Sequence, residues 1–163
     1  MKKIIAACLF IFLLAGCSIK TQTKPVTQNL SFNTRVHYYN ETYEAAALID
    51  AQGNMTFDIT SPEDIKGLKL EFTGDELKAT FDGLEYTEKN PQLTGAFGEI
   101  NKIFNDIRNG DKQVRNDEGE YFIEGRVDGC EYDLTVSPAG LPIELESDCG
   151  DLEMGFFDIK IIE

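Results

Sequence analysis

The chain is expected to fold as a mainly β protein of the α+β class. It reads as one curved antiparallel sheet, a half-barrel-like meander of about 10 to 11 strands, with a single amphipathic helix on its concave face. Three observations predict this. Apolar and polar residues alternate through most of the chain beyond residue 29, the separators are short turn sequences rather than crossovers, and only one segment has a helical period.

The alternation is regular enough to assign faces. Phe32, Thr34, Val36 and Tyr38 alternate with Asn33, Arg35 and His37; Tyr43, Ala45, Ala47 and Ile49 follow. Met55, Phe57 and Ile59 alternate with Thr56, Asp58 and Thr60, Leu68, Leu70 and Phe72 with Lys69, Glu71 and Thr73, and Leu77, Ala79 and Phe81 with Lys78, Thr80 and Asp82. A period of two places each apolar set on one dry face. Asn40-Glu41, Gly53-Asn54, Ser61-Pro62, Gly74-Asp75 and Asp82-Gly83 supply turn chemistry between the strands.

The helical segment carries Leu93, Phe97, Ile100, Phe104 and Ile107, spaced four, three, four and three residues apart. Asn90 is the expected N-cap, Pro91 the first helical residue, and Asn109-Gly110 the far end. Gly95 and Gly98 then fall inside the helix, at about 1 kcal/mol each relative to Ala, where close approach to the sheet would tolerate them. Strands are expected to resume at about 112–116, 121–127, 130–137, 141–148 and 152–162.

One hairpin can be tested arithmetically. Folding "CEYDLTVSPAGLPIELESDC" about Ala139-Gly140 pairs residues whose numbers sum to 279. Cys130 then faces Cys149, Tyr132 faces Ser147, Leu134 faces Leu145 and Val136 faces Ile143, all on the apolar face. Cysteines and apolar pairs select one register, which predicts a cross-strand disulfide contributing about 3 kcal/mol in the chain-entropy model. A metal-ligating thiol pair is the rival reading, weakened by the lack of a nearby His. On the opposite face the same register sets Glu131 against Asp148 and Asp133 against Glu146, with Glu144 nearby. Either water and salt screen this repulsion, or the surface receives a basic protein or a divalent cation.

The start of the chain is of another kind. Met1-Lys2-Lys3 precedes a run of 13 apolar or small residues, 4–16. That is short of the roughly 18 to 20 needed to cross a bilayer, and fits a secretory signal peptide. Leu14-Ala15-Gly16-Cys17 resembles the lipobox of bacterial lipoproteins. The resemblance implies cleavage after Gly16, lipid on Cys17 and anchoring at the extracytoplasmic face of the cell membrane. Diacylglycerol and a further acyl group such as palmitate would hold the chain there. An uncleaved anchor helix, or ordinary cleavage leaving Cys17 free, are the alternatives. The expected organisation is a signal peptide at 1–16, a lipidated tether at 17–29 and one domain at 30–163. Cys8 leaves with the leader, so only Cys130 and Cys149 remain to pair.

Composition argues against several functions. With 15 Lys plus Arg against 29 Asp plus Glu, the net charge of -14 repels nucleic-acid phosphates and anionic headgroups, so contact with the membrane must come from acyl chains. The single histidine, His37, falls on the polar face beside Arg35. There is no phosphate-binding Gly-rich loop, no His- or Cys-based metal spacing and no calcium-loop pattern. The chain is therefore read as non-enzymatic, without cofactor or metal.

Lipobox, polar tether, one-sided sheet and single helix together resemble the LolA/LolB-like half-barrel lipoproteins, and "MTFDITSPEDIKGLKLEFTGDELKATFDGLEY" is similar to the strand–Ser-Pro–strand–Gly-Asp–strand run of Gram-positive members. The resemblance spans 30–163 and implies a binding module. One reading is a scaffold for an envelope protein, docking through the sheet or through Glu131, Asp133, Glu144, Glu146 and Asp148. The other is a carrier of acyl chains or another hydrophobic ligand, held by Phe57, Leu70, Phe72 and Phe81. For these four, plain core against the helix is the simpler reading. The chain departs from the lipoprotein carriers in having no Trp and no exposed apolar insertion loop.

Overall fold

The computed structural model describes residues 28–89, 91, 95–110, 112–117 and 119–162. Cys17, the leader, most of the tether, Asn90 and Leu93 lie outside the described residues.

Eleven antiparallel strands form one sheet. In chain order they are β1 (Leu30–Tyr38), β2 (Glu41–Ile49), β3 (Met55–Ser61), β4 (Lys69–Thr73), β5 (Glu76–Phe81), β6 (Leu84–Lys89), β7 (Arg115–Asp117), β8 (Glu120–Val127), β9 (Cys130–Val136), β10 (Pro142–Ser147) and β11 (Leu152–Ile161). A single α-helix, α1 (Ala96–Asn109), lies between β6 and β7 in sequence, and a 3-10 turn spans Glu63–Ile65. The spatial order β6-β5-β4-β3-β2-β1-β11-β10-β9-β8-β7 is two meanders joined where the first strand pairs with the last. The fold class expected from the alternation is the one observed.

The dry face behaves as the period of two requires. Leu30, Phe32, Val36, Ala45, Ala47, Ile49, Met55, Phe57 and Ile59 are buried on one half of the sheet, and Ile123, Leu134, Leu145, Leu152 and Met154 on the other. Helix α1 lays Phe97, Ile100, Ile103, Phe104 and Ile107 onto them, making one cluster. Phe97 meets Tyr43 and Phe57 at ring-centroid distances of 5.6 and 4.8 Å, and Phe104 meets Phe156 at 6.2 Å.

Four expectations are corrected. The helix begins at Ala96, so Pro91 is outside it and Gly95, at φ 87°, is the N-cap rather than an interior residue. A strand at Leu84–Lys89 pairs with β5 where none was foreseen, because all six of its side chains are exposed and leave little alternation to read. The strand expected at 112–116 shrinks to Arg115–Asp117, since Lys112 is held instead by Asp106 at 2.8 Å. Finally, Val136 pairs with Pro142, not Ile143. Proline has no N–H for the ladder, a bulge forms beside it, and Ile143 is left 49 % exposed.

Candidate functional site

Two surfaces of the sheet carry the residues singled out from the sequence. The first is the wet face of β8–β11. Tyr132↔Ser147 and Leu134↔Leu145 pair in the expected register, and Cys130 and Cys149 are bridged with Cα atoms 5.5 Å apart. Asp133 stands opposite Glu146 as expected. Glu131 and Asp148 are joined through backbone: the Glu131 N–H donates to the Asp148 carboxylate at 2.8 Å, and the Asp148 N–H to the Glu131 carbonyl at 3.2 Å.

The flanking strands lengthen this acidic pair. Glu124 is opposite Asp133, and Glu153 is opposite Glu146. The result is a row Glu124–Asp133–Glu146–Glu153 across four strands, ending on His37 of β1. Sequence reading missed Glu124 and Glu153. Asp128-Gly129, both at positive φ, form the two-residue turn that sets Glu124 against Asp133, and that dipeptide was the available signal.

An open groove of 890 Å³ lies over this row, lined also by Glu131, Asp148 and Asp151. Two cations answer it: Arg115 pairs with Glu124, and Arg126 with Glu131. Asp133 has neither for itself. Burial, and then the charges of Glu124 and Glu146, push its carboxyl above the ordinary value, while Arg115 pulls the other way. Glu144 sits one row along, opposite Thr135 and Gly155.

The second surface is the concave face of β4–β6. The pairs Phe72↔Leu77, Leu70↔Ala79, Ala79↔Tyr86 and Phe81↔Leu84 keep these residues on the side that the core occupies further along the sheet. Of the four residues expected to form a hydrophobic cavity, Phe57 and Phe72 are buried in the core, 6.2 Å apart between ring centroids. Leu70 is half-buried, and Phe81 is 39 % exposed.

Beyond them the apolar face continues into the open, with Leu84 76 % and Tyr86 57 % exposed. Between this wing and the first turn of α1 is a cleft of 350 Å³ lined by Tyr43, Ile65, Leu68, Leu70, Leu77 and Phe97 among others. The cleft's strand wall, Leu68, Leu70, Phe72 and Leu77, is one the alternation predicts, and the unforeseen strand adds Glu88 to it.

Among the described residues, no helix is long and apolar enough to cross a membrane. His37 is exposed, with its Nδ1 2.9 Å from the Thr42 hydroxyl.

No protein-family model matches the chain, and no curated protein matches it. Solved structures do. An uncharacterised conserved protein from Thermus thermophilus is similar over 96 % of this chain and 88 % of its own, with a TM-score of 0.54 at 12 % identity. A DUF1329 family protein from Desulfovibrio piger covers 85 % and 87 %, with a TM-score of 0.50 at 8 % identity. A LolA superfamily protein from Nitrosomonas europaea covers 88 % and 91 %, with a TM-score of 0.48 at 13 % identity. At such identities the likeness to the first two is one of fold: a long curved antiparallel sheet around one helix is an architecture that this chain shares with other proteins.

Proposed function

We infer that this chain is a non-enzymatic binding module that takes an extended apolar ligand, of acyl-chain character, along the concave face of β4–β6. The observation that carries the reading is the continuation of the apolar face past the helix. Phe81, Leu84 and Tyr86 are exposed on the face whose next cross-strand pair, Leu77 and Glu88, lines the 350 Å³ cleft beside Phe97. Large contiguous apolar exposure costs solubility and marks binding surfaces, and the cleft is at the small end of ligand pockets, which start at about 300 Å³. In this reading residues 1–16 are a lipoprotein signal peptide, Cys17 carries the lipid anchor, 17–29 is the tether and 30–163 is the binding domain on the extracytoplasmic face of the membrane. The short apolar leader and the Leu-Ala-Gly-Cys sequence support that placement.

The test uses the full chain in detergent micelles, with a fluorescent fatty acid as probe. Saturable binding lost by at least tenfold in Leu70→Glu supports the reading. Binding that is absent, or equal in Leu70→Glu, removes it.

A second reading is a scaffold for a basic envelope protein, and the four-carboxylate row favours it. Like charges directly opposite one another destabilise a sheet by up to about 1 kcal/mol per pair, a cost that a cationic partner would relieve. Cross-linking in intact cells that captures one basic partner, and that is lost on Glu146→Lys, would favour this reading over the carrier.

A further inference from the structure

The buried polar side chains of the core include a glutamate. Glu99, in the first turn of α1, is only 7 % exposed. Its Oε2 is 3.5 Å from the Lys102 ammonium, which is itself drawn to Asp128 at 2.9 Å. Its Oε1 has no hydrogen-bond donor among the described residues. A buried carboxylate oxygen without a partner forfeits its hydration uncompensated. Packing does not require it, because the apolar stripe of the helix runs through Phe97, Ile100 and Phe104.

What Glu99 faces is the disulfide. A carboxylate oxygen of Glu99 and the two sulfurs of Cys130 and Cys149 all lie within 4.8 Å of one another. Cys130 opens β9, Cys149 follows β10, and both residues are only partly buried. As a disulfide the pair offers the carboxylate nothing: sulfur in that state is neither a donor nor a charge. As thiolates with a cation between them, it offers a site.

We propose that reduction of the Cys130–Cys149 bridge creates a binding site for one zinc-class divalent cation, with the two thiolates and the Glu99 carboxylate as its three protein ligands. The reductant is a dithiol. Its two sulfurs are oxidised to a disulfide as the Cys130–Cys149 bond breaks, and its two protons pass to the protein thiols. Binding of the cation then releases both thiol protons and forms two metal–sulfur bonds. Thiolate and carboxylate suit zinc, which takes sulfur at about 2.3 Å and oxygen at about 2.0–2.2 Å, with three protein ligands and an open fourth position. Three anionic ligands and a dication leave one negative charge, which Lys102 balances. The hairpin is therefore closed in both redox states, by a covalent bond in one and by a cation in the other. The oxidised protein has no free thiol at this site, so metal uptake reports the redox state.

The test uses the full chain with Cys8→Ser and Cys17→Ser, so that only this thiol pair remains, purified in detergent and titrated with cobalt(II) before and after anaerobic reduction. A phosphine replaces the dithiol, so that no added thiolate competes for the metal; it takes oxygen from water and ends as the phosphine oxide. The expected result is no cobalt signal when oxidised. After reduction one cobalt binds per chain, with a thiolate-to-cobalt charge-transfer band and tetrahedral visible bands that zinc abolishes. Glu99→Gln should keep the thiolates and lose at least tenfold in cobalt affinity. A reduced chain that holds its far-ultraviolet circular dichroism and binds no cobalt overturns the proposal, as does equal affinity in Glu99→Gln. Should reduction unfold the chain, zinc must restore the dichroism; failure to do so overturns it equally.

Discussion

The Tyr132 hydroxyl donates a 2.6 Å hydrogen bond to the Asp106 carboxylate, tying the centre of the β8–β10 half of the sheet to the last turn of the helix. Lys112 completes the arrangement, 2.8 Å from Asp106 and above the Tyr132 ring. The ring reaches Asp106 across Gly125 of the neighbouring strand, where a Cβ would stand 2.3 Å from the phenol.

Gly125→Ala is therefore expected to push Tyr132 off Asp106 and to cost about 2–3 kcal/mol through overpacking and the lost bond. Tyr132→Phe, which removes only the hydroxyl, should cost about 1–2 kcal/mol, because Lys112 still answers the carboxylate. Urea denaturation of both variants checks the order; a Gly125→Ala protein as stable as the parent would contradict the packing described.

The same aspartate governs the acid limb. Burial raises the Asp106 carboxyl, but the bonds from Lys112 and Tyr132 outweigh it and leave it below its ordinary value. A depressed folded value means stability that is complete above the ordinary carboxylate pKa and is lost as pH falls through the folded one. Asp50 acts in the same direction: burial raises it, and hydrogen bonds from Asn54, Gln52 and Gly53 lower it further than that. In Asp106→Asn the fall in thermal midpoint between neutral pH and pH about 3 should be shallower than in the parent.

Asp133 has the opposite sign. Its folded value is raised, so its penalty is absent below the ordinary carboxylate pKa and develops as pH rises through the folded value. Asp133→Asn is expected to stabilise the protein at neutral pH by about 0.5–1 kcal/mol and to do less at high salt, where the neighbouring charges are screened. Melting curves at two ionic strengths decide this, and a destabilised Asn variant would show that Asp133 has a counter-charge.

Cys149→Ser opens a loop whose ends are 19 residues apart in sequence and should lower stability by about 3 kcal/mol. Chemical denaturation without reductant measures it; reduction of the parent in the absence of metal should reproduce the loss.

Leu84→Asp probes the open wing. Leu84 is 76 % exposed, so stability should stay within about 0.5 kcal/mol while fatty-acid binding weakens at least tenfold. A large stability loss would mean that Leu84 is packed rather than offered.

The residues that read correctly did so because burial and local spacing coincide. In β9 and β10 the cysteines, Tyr132, Leu134 and Leu145 share one face, and a shift of one residue would have put them in water. Pro142 was the sign of the bulge that the arithmetic passed over. β6 escaped notice because Leu84, Tyr86 and their neighbours are exposed, and exposed strands carry no obligation to alternate. Glu99 could not be read at all. It lies beside the helix stripe rather than on it, and its neighbours Cys130 and Cys149 are brought to it only when the sheet curls around the helix.

Sequence alone determined which side of each strand is dry, where the chain turns, and that Cys130 belongs opposite Cys149, since each follows from alternation and from short turns that act locally. The tertiary structure decided what those faces meet. Strand pairing outside the hairpin aligned four carboxylates in a row, the described helix left Leu84 and Tyr86 exposed on the β4–β6 wing, and sheet curvature set a buried carboxylate against a disulfide. Such juxtapositions depend on contacts between residues far apart in the chain, and no local period encodes them.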